Sequence, residues 1–199
     1  MDSFPVMEHF YTIQGEGNFS GAPAYFVRLG GCDVGCVWCD VKDSWDAAKH
    51  PTMDIETIVA HCKIAKAKIV VITGGEPAMY NLAKLTEALK IAGFRTHIET
   101  SGAYSLTGHW DWICFSPKKF KKPLIEVATL ANELKVIVFN KSDFLWAAEH
   151  QKLVMQDCML FLQPEWGREK EMNPLIINFV KENTEWRISL QTHKYLNIP

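Results

Sequence analysis

The chain has 199 residues, which is enough for one well-cored domain and short for two. It carries 21 Lys and Arg against 23 Asp and Glu, so its formal net charge of −2 indicates neither a nucleic acid nor an anionic membrane as partner. No apolar run reaches the length of a bilayer span. Six cysteines without a secretory signal predict a cytoplasmic protein with reduced thiols.

Strands and helices alternate along the chain. A strand is expected at 24–29, where it enters a cysteine-rich loop, and the apolar strand at 68–73 is typical of a parallel sheet buried on both faces. Apolar residues at helical spacing predict helices at 54–66 and 81–92. The pattern then predicts strands at 95–99, 112–115, 134–139, 158–163 and 186–190, and helices at 142–151 and 168–182.

This order of elements predicts an α/β fold, an incomplete and open (β/α) barrel of about six parallel strands, built as a single domain over residues 1–199. In such folds the chemistry gathers at the carboxyl ends of the strands. Polar segments follow the predicted strands at 73–77, 99–102, 116–118, 163–165 and 191–194. We therefore expect these segments to meet at one rim, beside the cysteine-rich loop.

That loop reads Gly-Gly-Cys-Asp-Val-Gly-Cys-Val-Trp-Cys-Asp and has the spacing C-x3-C-x2-C. Its thiolates, Cys32, Cys36 and Cys39, can hold a [4Fe–4S] cluster and leave one iron without a protein ligand. Spacing alone also permits a zinc site, for which a fourth ligand is available from Asp33, Asp40 or His50. The remaining cysteines lie in apolar segments and are predicted to be core residues: Cys62, Cys114 and Cys158.

These motifs resemble the radical S-adenosylmethionine (SAM) superfamily, whose signature combines this cysteine spacing with an aromatic residue before the last cysteine, here Trp38, and a Gly-Gly-Glu-Pro motif, here 74–77. A longer series resembles one member family, the 7-carboxy-7-deazaguanine synthases of queuosine and 7-deazapurine biosynthesis. The series covers nearly the whole chain and comprises 11–17, 26–32, 38–40, 74–77, 99–102, 116–118 and 191–194.

The resemblance implies a lyase reaction in which 6-carboxy-5,6,7,8-tetrahydropterin becomes 7-carboxy-7-deazaguanine with loss of ammonia. It implies that the reduced cluster cleaves SAM to a 5′-deoxyadenosyl radical, which abstracts a hydrogen from the pterin, and that SAM is regenerated afterwards. It also implies Mg²⁺, a reductant such as flavodoxin or ferredoxin, and a homodimer.

Residues for the cofactors follow from the resemblance and from side-chain chemistry. Cys32, Cys36 and Cys39 would be the catalytic cluster ligands. Gly75 would allow the backbone to approach SAM closely, and Glu76 could bind the SAM ammonium. Ser116 and Lys118 could hold the ribose or the carboxylate of SAM. The full cofactor set is Trp38, Cys39, Asp40, Gly74, Gly75, Glu76, Ser101, Ser116, Pro117, Lys118, Gln163, Pro164, Glu165 and Trp166.

Residues for the substrate come from the first and last motifs and from one strand. Gln14 and Glu16 suit the polar edge of a pterin ring. Arg28 lies in an apolar strand and needs a partner, either the substrate carboxylate or an acid such as Glu99. The full substrate set is Ile13, Gln14, Gly15, Glu16, Arg28, Thr73, His193 and Pro199, the last through a free carboxylate at the chain end.

The magnesium ligand is where the chain departs from the family pattern. Many members carry a threonine directly after Cys-Asp, and its hydroxyl is linked to the metal, whereas this chain has Val41. Because Mg²⁺ prefers hard oxygen ligands, Asp40 is the predicted ligand, with Asp43, Ser44, a backbone carbonyl and water as alternatives.

Two other functions remain open. A glycyl-radical-enzyme activase would share the cysteine spacing and the Gly-Gly-Glu-Pro motif, but it would not need Gln14, Glu16, Arg28 and the 191–194 motif as a set. A non-enzymatic zinc-binding module would be colourless with one zinc per chain, whereas an iron–sulfur protein would be brown and sensitive to oxygen.

Overall fold

A single sheet runs through residues 2–199, the part of the chain that the computed structural model describes. In this range the sheet has nine strands: β1 (Ser3–Ile13), β2 (Pro23–Leu29), β3 (Thr52–Asp54), β4 (Ile69–Gly74), β5 (Arg95–Thr100), β6 (Trp112–Phe115), β7 (Glu133–Val138), β8 (Met159–Pro164) and β9 (Trp186–Ile188). The same range forms six α-helices: α1 (Ile55–Ile64), α2 (Ala83–Ile91), α3 (Ile125–Leu130), α4 (Ser142–Gln151), α5 (Glu169–Glu182) and α6 (Thr192–Leu196).

The strand order is β3-β1-β2-β4-β5-β6-β7-β8-β9, and every neighbouring pair from β2 to β9 is parallel. Strand β1 is antiparallel to both β2 and β3. Within residues 2–199 the outer strands β3 and β9 do not pair with each other, so the sheet is an open barrel, as the sequence predicts. The parallel part has seven strands where about six were expected.

The predicted strands and helices are confirmed, with ends that differ by at most two residues. The cap of α1 is Asp54, whose side chain accepts a hydrogen bond from the Thr57 backbone N–H at 2.7 Å. Four elements were missed, namely β1, β3, α3 and α6. The longest of these, β1, contains Pro5 and shifts register between Val6 and Glu8, so its apolar residues do not keep one alternating phase.

Strand β7 shows how the sheet separates the hydrophobic core, on its helix-covered face, from the polar interior of the barrel on its other face. Alternate residues of a strand point to opposite faces. Leu134 and Val136 pack into the hydrophobic core with the helices that cover the sheet, and the other face carries Glu133 and Lys135. The predicted core cysteines are confirmed as buried, at Cys62, Cys114 and Cys158. None of the helices in residues 2–199 is both long and apolar enough to span a bilayer.

Candidate active site

A cavity at the carboxyl ends of the parallel strands brings the predicted residues together. Its wall contains every predicted site residue except Pro117 and also several residues that were not predicted. Ser116 and Lys118 line the cavity, but Pro117 between them is buried elsewhere, and its carbonyl accepts a hydrogen bond from Trp146 Nε1 at 3.4 Å. The side chain of Pro117 therefore points away from the cavity, because neighbours in an extended segment point to opposite sides, and its assignment as a cofactor residue stays a prediction.

Backbone hydrogen bonds tie the cysteine loop, residues 30–40, to the segment that follows β4. Gly75 N–H donates to the Leu29 carbonyl at 2.8 Å, and Glu76 N–H donates to the Gly31 carbonyl at 2.9 Å. The contact is so close that a Cβ on Gly75 would lie 2.2 Å from the Gly31 carbonyl oxygen. Glycine is therefore required at position 75 to bring the two loops together.

The three cysteines fit an iron–sulfur cluster. All three are free thiols on the cavity wall. Burial, together with the neighbouring cysteines, raises the pKa of Cys36 to about 11, and burial also raises the pKa of Cys32. A strong positive centre is therefore needed to keep these thiols ionised, and iron supplies one.

The zinc alternative fits less well. In residues 2–199 no three His, Cys, Asp or Glu side chains converge as one metal ion would require. A cluster instead distributes three thiolates over three irons. His50, a candidate fourth zinc ligand, has its Nε2 2.8 Å from the Asp43 carbonyl oxygen.

Glu76 is buried beside the cysteine loop, and both of its carboxylate oxygens are occupied. One oxygen accepts from Thr100 Oγ1 at 2.6 Å and from the Ala78 N–H at 3.0 Å. The other accepts from the backbone N–H of Ser101 at 2.8 Å and from the Ser101 hydroxyl. Four donors fill the usual capacity of a carboxylate. Glu76 therefore suits an anchor for these loops better than the predicted partner of an ammonium.

On the other side of the cavity, side chains from distant parts of the chain form a network that we call the cavity floor. Lys135 Nζ donates to Glu16 at 2.5 Å and to Glu99 at 3.3 Å. Gln14 Nε2 donates to Glu99 at 3.0 Å, and Gln191 Nε2 donates to Glu16 at 2.9 Å. Burial would raise the pKa of Glu16, but attraction to Lys135 outweighs it and lowers that pKa to about 2.

Lys135 was missed as a functional residue although the sequence contains a signal for it. It is a charged residue inside the apolar strand at 134–139, which is the feature that singled out Arg28. Arg28 itself lines the cavity and has 22% of its side chain exposed. Its Nε donates to Glu8 at 2.6 Å across the β1–β2 pair, so the acid that pairs with it is Glu8 and not Glu99.

The segment that contains α6 closes one side of the cavity. Thr192 donates to the Gly15 carbonyl through both its backbone N–H and its hydroxyl, each at 2.9 Å. The imidazole of His193 packs so closely on Gly15 that a Cβ there would lie 2.2 Å from Nδ1. Lys194 Nζ lies 5.1 Å from the centre of the Trp166 ring. Pro199 also lines the cavity.

The candidate magnesium ligands differ in how accessible their oxygen atoms are to a metal ion. Ser44 lines the cavity, but its side chain is buried and its hydroxyl donates to the Val41 carbonyl at 2.7 Å. The carboxylate of Asp40 remains 58% exposed, with one oxygen 2.9 Å from Lys194 Nζ. Asp40 therefore fits a hard cation better than Ser44 does.

Lys118 offers the cavity a positive charge. Its Nζ lies 2.5 Å from Ser116 Oγ and 5.6 Å from the centre of the Trp38 ring. It takes part in none of the ion pairs formed among residues 2–199. Burial lowers its pKa. An anionic ligand in the cavity would stabilise this ammonium.

Comparison with known proteins agrees with this geometry. Residues 26–137 match the family model described as the radical SAM superfamily, so the open barrel and the three-cysteine loop define a protein of that class. The 7-carboxy-7-deazaguanine synthase of Flavobacterium psychrophilum is 54% identical, over 100% of this chain and 94% of the relative. The enzyme of that name from Synechocystis is 47% identical, over 98% of this chain and 94% of the relative.

A solved structure supports the same assignment. The crystal structure of QueE from Escherichia coli superposes with a TM-score of 0.85 at 32% identity, covering 94% of this chain and 93% of that one. The chain belongs to the 7-carboxy-7-deazaguanine synthase family within the radical SAM superfamily. As a member of that superfamily it is an enzyme that uses a [4Fe–4S] cluster and SAM.

Proposed function

We propose that this chain converts 6-carboxy-5,6,7,8-tetrahydropterin into 7-carboxy-7-deazaguanine with loss of ammonia, as a step of queuosine or 7-deazapurine biosynthesis. The observation that carries the proposal is that one cavity contains both the three-cysteine loop and the cavity floor. Family membership supports the same substrate, because relatives that match over nearly their whole length are named for this product.

The cysteine side of the cavity would hold the cofactors. Cys32, Cys36 and Cys39 would ligate the cluster, which supplies one-electron cleavage of SAM and thereby the radical that abstracts a hydrogen. Gly75 permits close approach of the backbone, and Lys118 offers an ammonium to the SAM carboxylate. The remaining cofactor candidates on the wall are Trp38, Asp40, Gly74, Ser101, Ser116, Gln163, Pro164, Glu165 and Trp166.

The cavity floor would hold the pterin. Glu16 and Glu99 can accept hydrogen bonds from ring N–H groups, and the amide of Gln14 can pair with a ring carbonyl or N–H. Arg28 and His193 line the same cavity and can face the substrate carboxylate. The remaining substrate candidates on the wall are Ile13, Gly15, Thr73 and Pro199.

The magnesium ion, the reductant, the domain organisation, the dimer and the cellular location belong to the same proposal. Mg²⁺ would bind at Asp40, whose exposed carboxylate lies on the cavity wall. A flavodoxin or ferredoxin would supply the electron, the chain would act as one domain over 1–199 in a homodimer, and it would work in the cytoplasm. The continuous sheet supports the single domain, and the family resemblance supports the reductant and the dimer.

An anaerobic assay tests the reaction. The protein is reconstituted with iron and sulfide, reduced, given SAM and 6-carboxy-5,6,7,8-tetrahydropterin, and followed by mass spectrometry. We expect 7-carboxy-7-deazaguanine from the wild type and from Cys62→Ala, a matched change of a buried core cysteine, and none from Cys36→Ala. Cleavage of SAM with untouched pterin would overturn the substrate assignment and make the activase alternative the next to test.

A further inference from the structure

The ammonium of Lys135 is buried and lies between two carboxylates of the cavity wall. Only 4% of the Lys135 side chain is exposed. Glu16 reaches it from the segment after β1, and Glu99 reaches it from β5. A buried charge needs partners, and a lysine between two acids fixes both of them at once.

The surroundings of Lys135 are strongly acidic. The titratable groups that face it are Glu16, Glu99, Glu133, Cys114 and Lys118, and His193 faces Glu16 and Glu99 from the segment that contains α6. Glu133 lies behind it, away from the cavity, where its carboxylate accepts from Trp112 Nε1 at 3.2 Å and from the Asn18 N–H at 3.1 Å. Without the ammonium, three carboxylates would share one poorly hydrated space, and their repulsion would favour protonation.

The two carboxylates on the cavity side retain acceptor capacity. Glu16 accepts from Lys135 and Gln191, and Glu99 accepts from Lys135 and Gln14. An ionised carboxylate can accept about four hydrogen bonds, so each can still accept from a ligand in the cavity. Glu76 on the cysteine side is different, because its four acceptor positions are already filled.

Building on the function proposed above, we propose that Lys135 is a positioning residue, whose ammonium keeps Glu16 and Glu99 ionised and correctly oriented to accept N–H groups of the substrate ring. Lys135 does not have to touch the substrate in this role. It acts through the two carboxylates, so its loss affects substrate binding more than the chemistry of SAM.

Lys135→Met tests this role, because Met has a similar length and lacks the charge. The matched control is Lys90→Met, which removes a lysine paired with Asp111 far from the cavity wall. The KM for the pterin, kcat, and SAM cleavage without pterin are measured from pH 6 to 9 on the reconstituted enzymes. We expect kcat/KM of Lys135→Met to fall on the order of 100-fold at pH 7, chiefly through KM, with SAM cleavage retained.

The pH profile separates this role from a merely structural one. Without the ammonium the carboxylates protonate more easily, so the ratio of the variant KM to the wild-type KM should fall as the pH rises. A ratio of about one, or a loss that does not change with pH, would refute the positioning role. If the wild type does not convert the pterin at all, the proposed function fails instead, and the two failures are thus distinct.

A second variant tests the proposal if Lys135→Met folds poorly. Lys135→Met combined with Glu133→Gln removes one buried negative charge together with the positive one, so it relieves the repulsion behind the cavity. We expect it to show the same increase in KM and the same recovery at high pH. A pH-independent KM in this double variant would also refute the proposal.

Discussion

Glu76 and Glu16 are carboxylates on two sides of one cavity, and they are stabilised by different means. Glu76 is held by four neutral donors, and the farthest of them along the chain is 25 residues away. Glu16 is held by a buried ammonium 119 residues away and an amide 175 residues away. The cysteine side is thus built from neighbouring loops, whereas the cavity floor forms only when segments from the start, the middle and the end of the chain meet.

Because of this difference, mutations on the two sides of the cavity should impair different steps. Neutral donors keep a carboxylate in place over a wide pH range, as long as the local loops are formed. A carboxylate held by an ammonium depends on the charge of both partners. Changes on the cysteine side should therefore abolish cluster and SAM chemistry, and changes in the floor should weaken substrate binding and alter its pH dependence.

Gly75→Ala should have the largest effect. The added Cβ would lie 2.2 Å from the Gly31 carbonyl oxygen and 2.9 Å from Cys32 Cβ, so the cysteine loop would have to shift. We expect reconstitution with iron to fail, which iron analysis and the visible absorption spectrum would show.

The control for this variant is Gly93→Ala. Gly93 has a positive φ of 89°, which Gly75 does not have, but nothing lies within 4 Å of a Cβ built at Gly93. The control should lose about 1 kcal/mol of stability through backbone strain and still take up iron normally. Normal iron content in Gly75→Ala would mean that the two loops are not tightly coupled.

Glu76→Gln directly tests the role of the four neutral donors that surround this carboxylate. The amide NH₂ of Gln would point at two donors whose hydrogen bonds a carboxylate oxygen of Glu76 accepts in the wild type. Because these hydrogen bonds are lost in a buried place, the free energy of unfolding should fall by about 2–3 kcal/mol. SAM cleavage should fall with it, because the loops at Ser101 and Ala78 lose their anchor. Glu87→Gln, a change of an exposed glutamate on α2, is the control and should affect neither quantity. Full SAM cleavage in Glu76→Gln would show that the hydrogen bonds to Glu76 are not needed for SAM chemistry.

Glu16→Gln should have a smaller and more selective effect, because Lys135 keeps Glu99 as a partner. We expect the KM for the pterin to rise about tenfold, since one charged acceptor is lost, and SAM cleavage without substrate to stay near wild type. An equal loss of both activities would contradict the division of the cavity into two sides.

The stability of Glu16→Gln gives a separate test with a defined sign. The folded pKa of Glu16, about 2, lies below its ordinary value of 4.5. Its contribution to stability is therefore complete above about pH 4.5 and is lost as the pH falls toward 2. The difference in unfolding free energy between wild type and variant should shrink over that range, as denaturant titrations would show.

The two sides also differ in how far the sequence predicts them. The residues that line the cysteine side could be named from the sequence almost one by one, because Cys32, Cys36, Cys39 and the 74–77 motif lie in short segments with fixed spacing, while their roles toward the cofactors stay predictions. The occupied acceptors of Glu76 could not be read from the motif, since its donors at Thr100 and Ser101 follow another strand. Their meeting depends on the parallel pairing of β4 with β5.

The cavity floor was predicted less completely, for a physical reason. Glu16 was named, but its partner Lys135 depends on how distant strands meet in three dimensions. The acid that pairs with Arg28 was left open between Glu99 and another acid for a related reason: Glu8 lies on β1, whose bulge hides the strand pattern. Spacing shows which side chains are unusual, whereas their partners follow from strand order and register.

His97→Phe should have the smallest effect. It tests the buried interior of the barrel on the side of the cavity floor that faces away from the cavity. Burial, and to a lesser degree Arg95, lowers the pKa of His97 from 6.5 to about 4. Its Nε2 finds no hydrogen-bond partner within residues 2–199. Its ring packs against Phe19, with centroids 4.6 Å apart, so an apolar ring of similar size should be accepted.

The sign of the pH effect follows from this shift. Between pH 6.5 and 4 the unfolded chain binds a proton at His97 that the folded chain does not, so the wild type loses stability as the pH falls through that range. The loss should reach about 1 kcal/mol near pH 5.5 and be absent from His97→Phe, while both proteins keep the same KM for the pterin at pH 7. Parallel pH profiles of stability for the two proteins would show that His97 is not held neutral, and a changed KM would show that the interior behind the floor also positions the substrate.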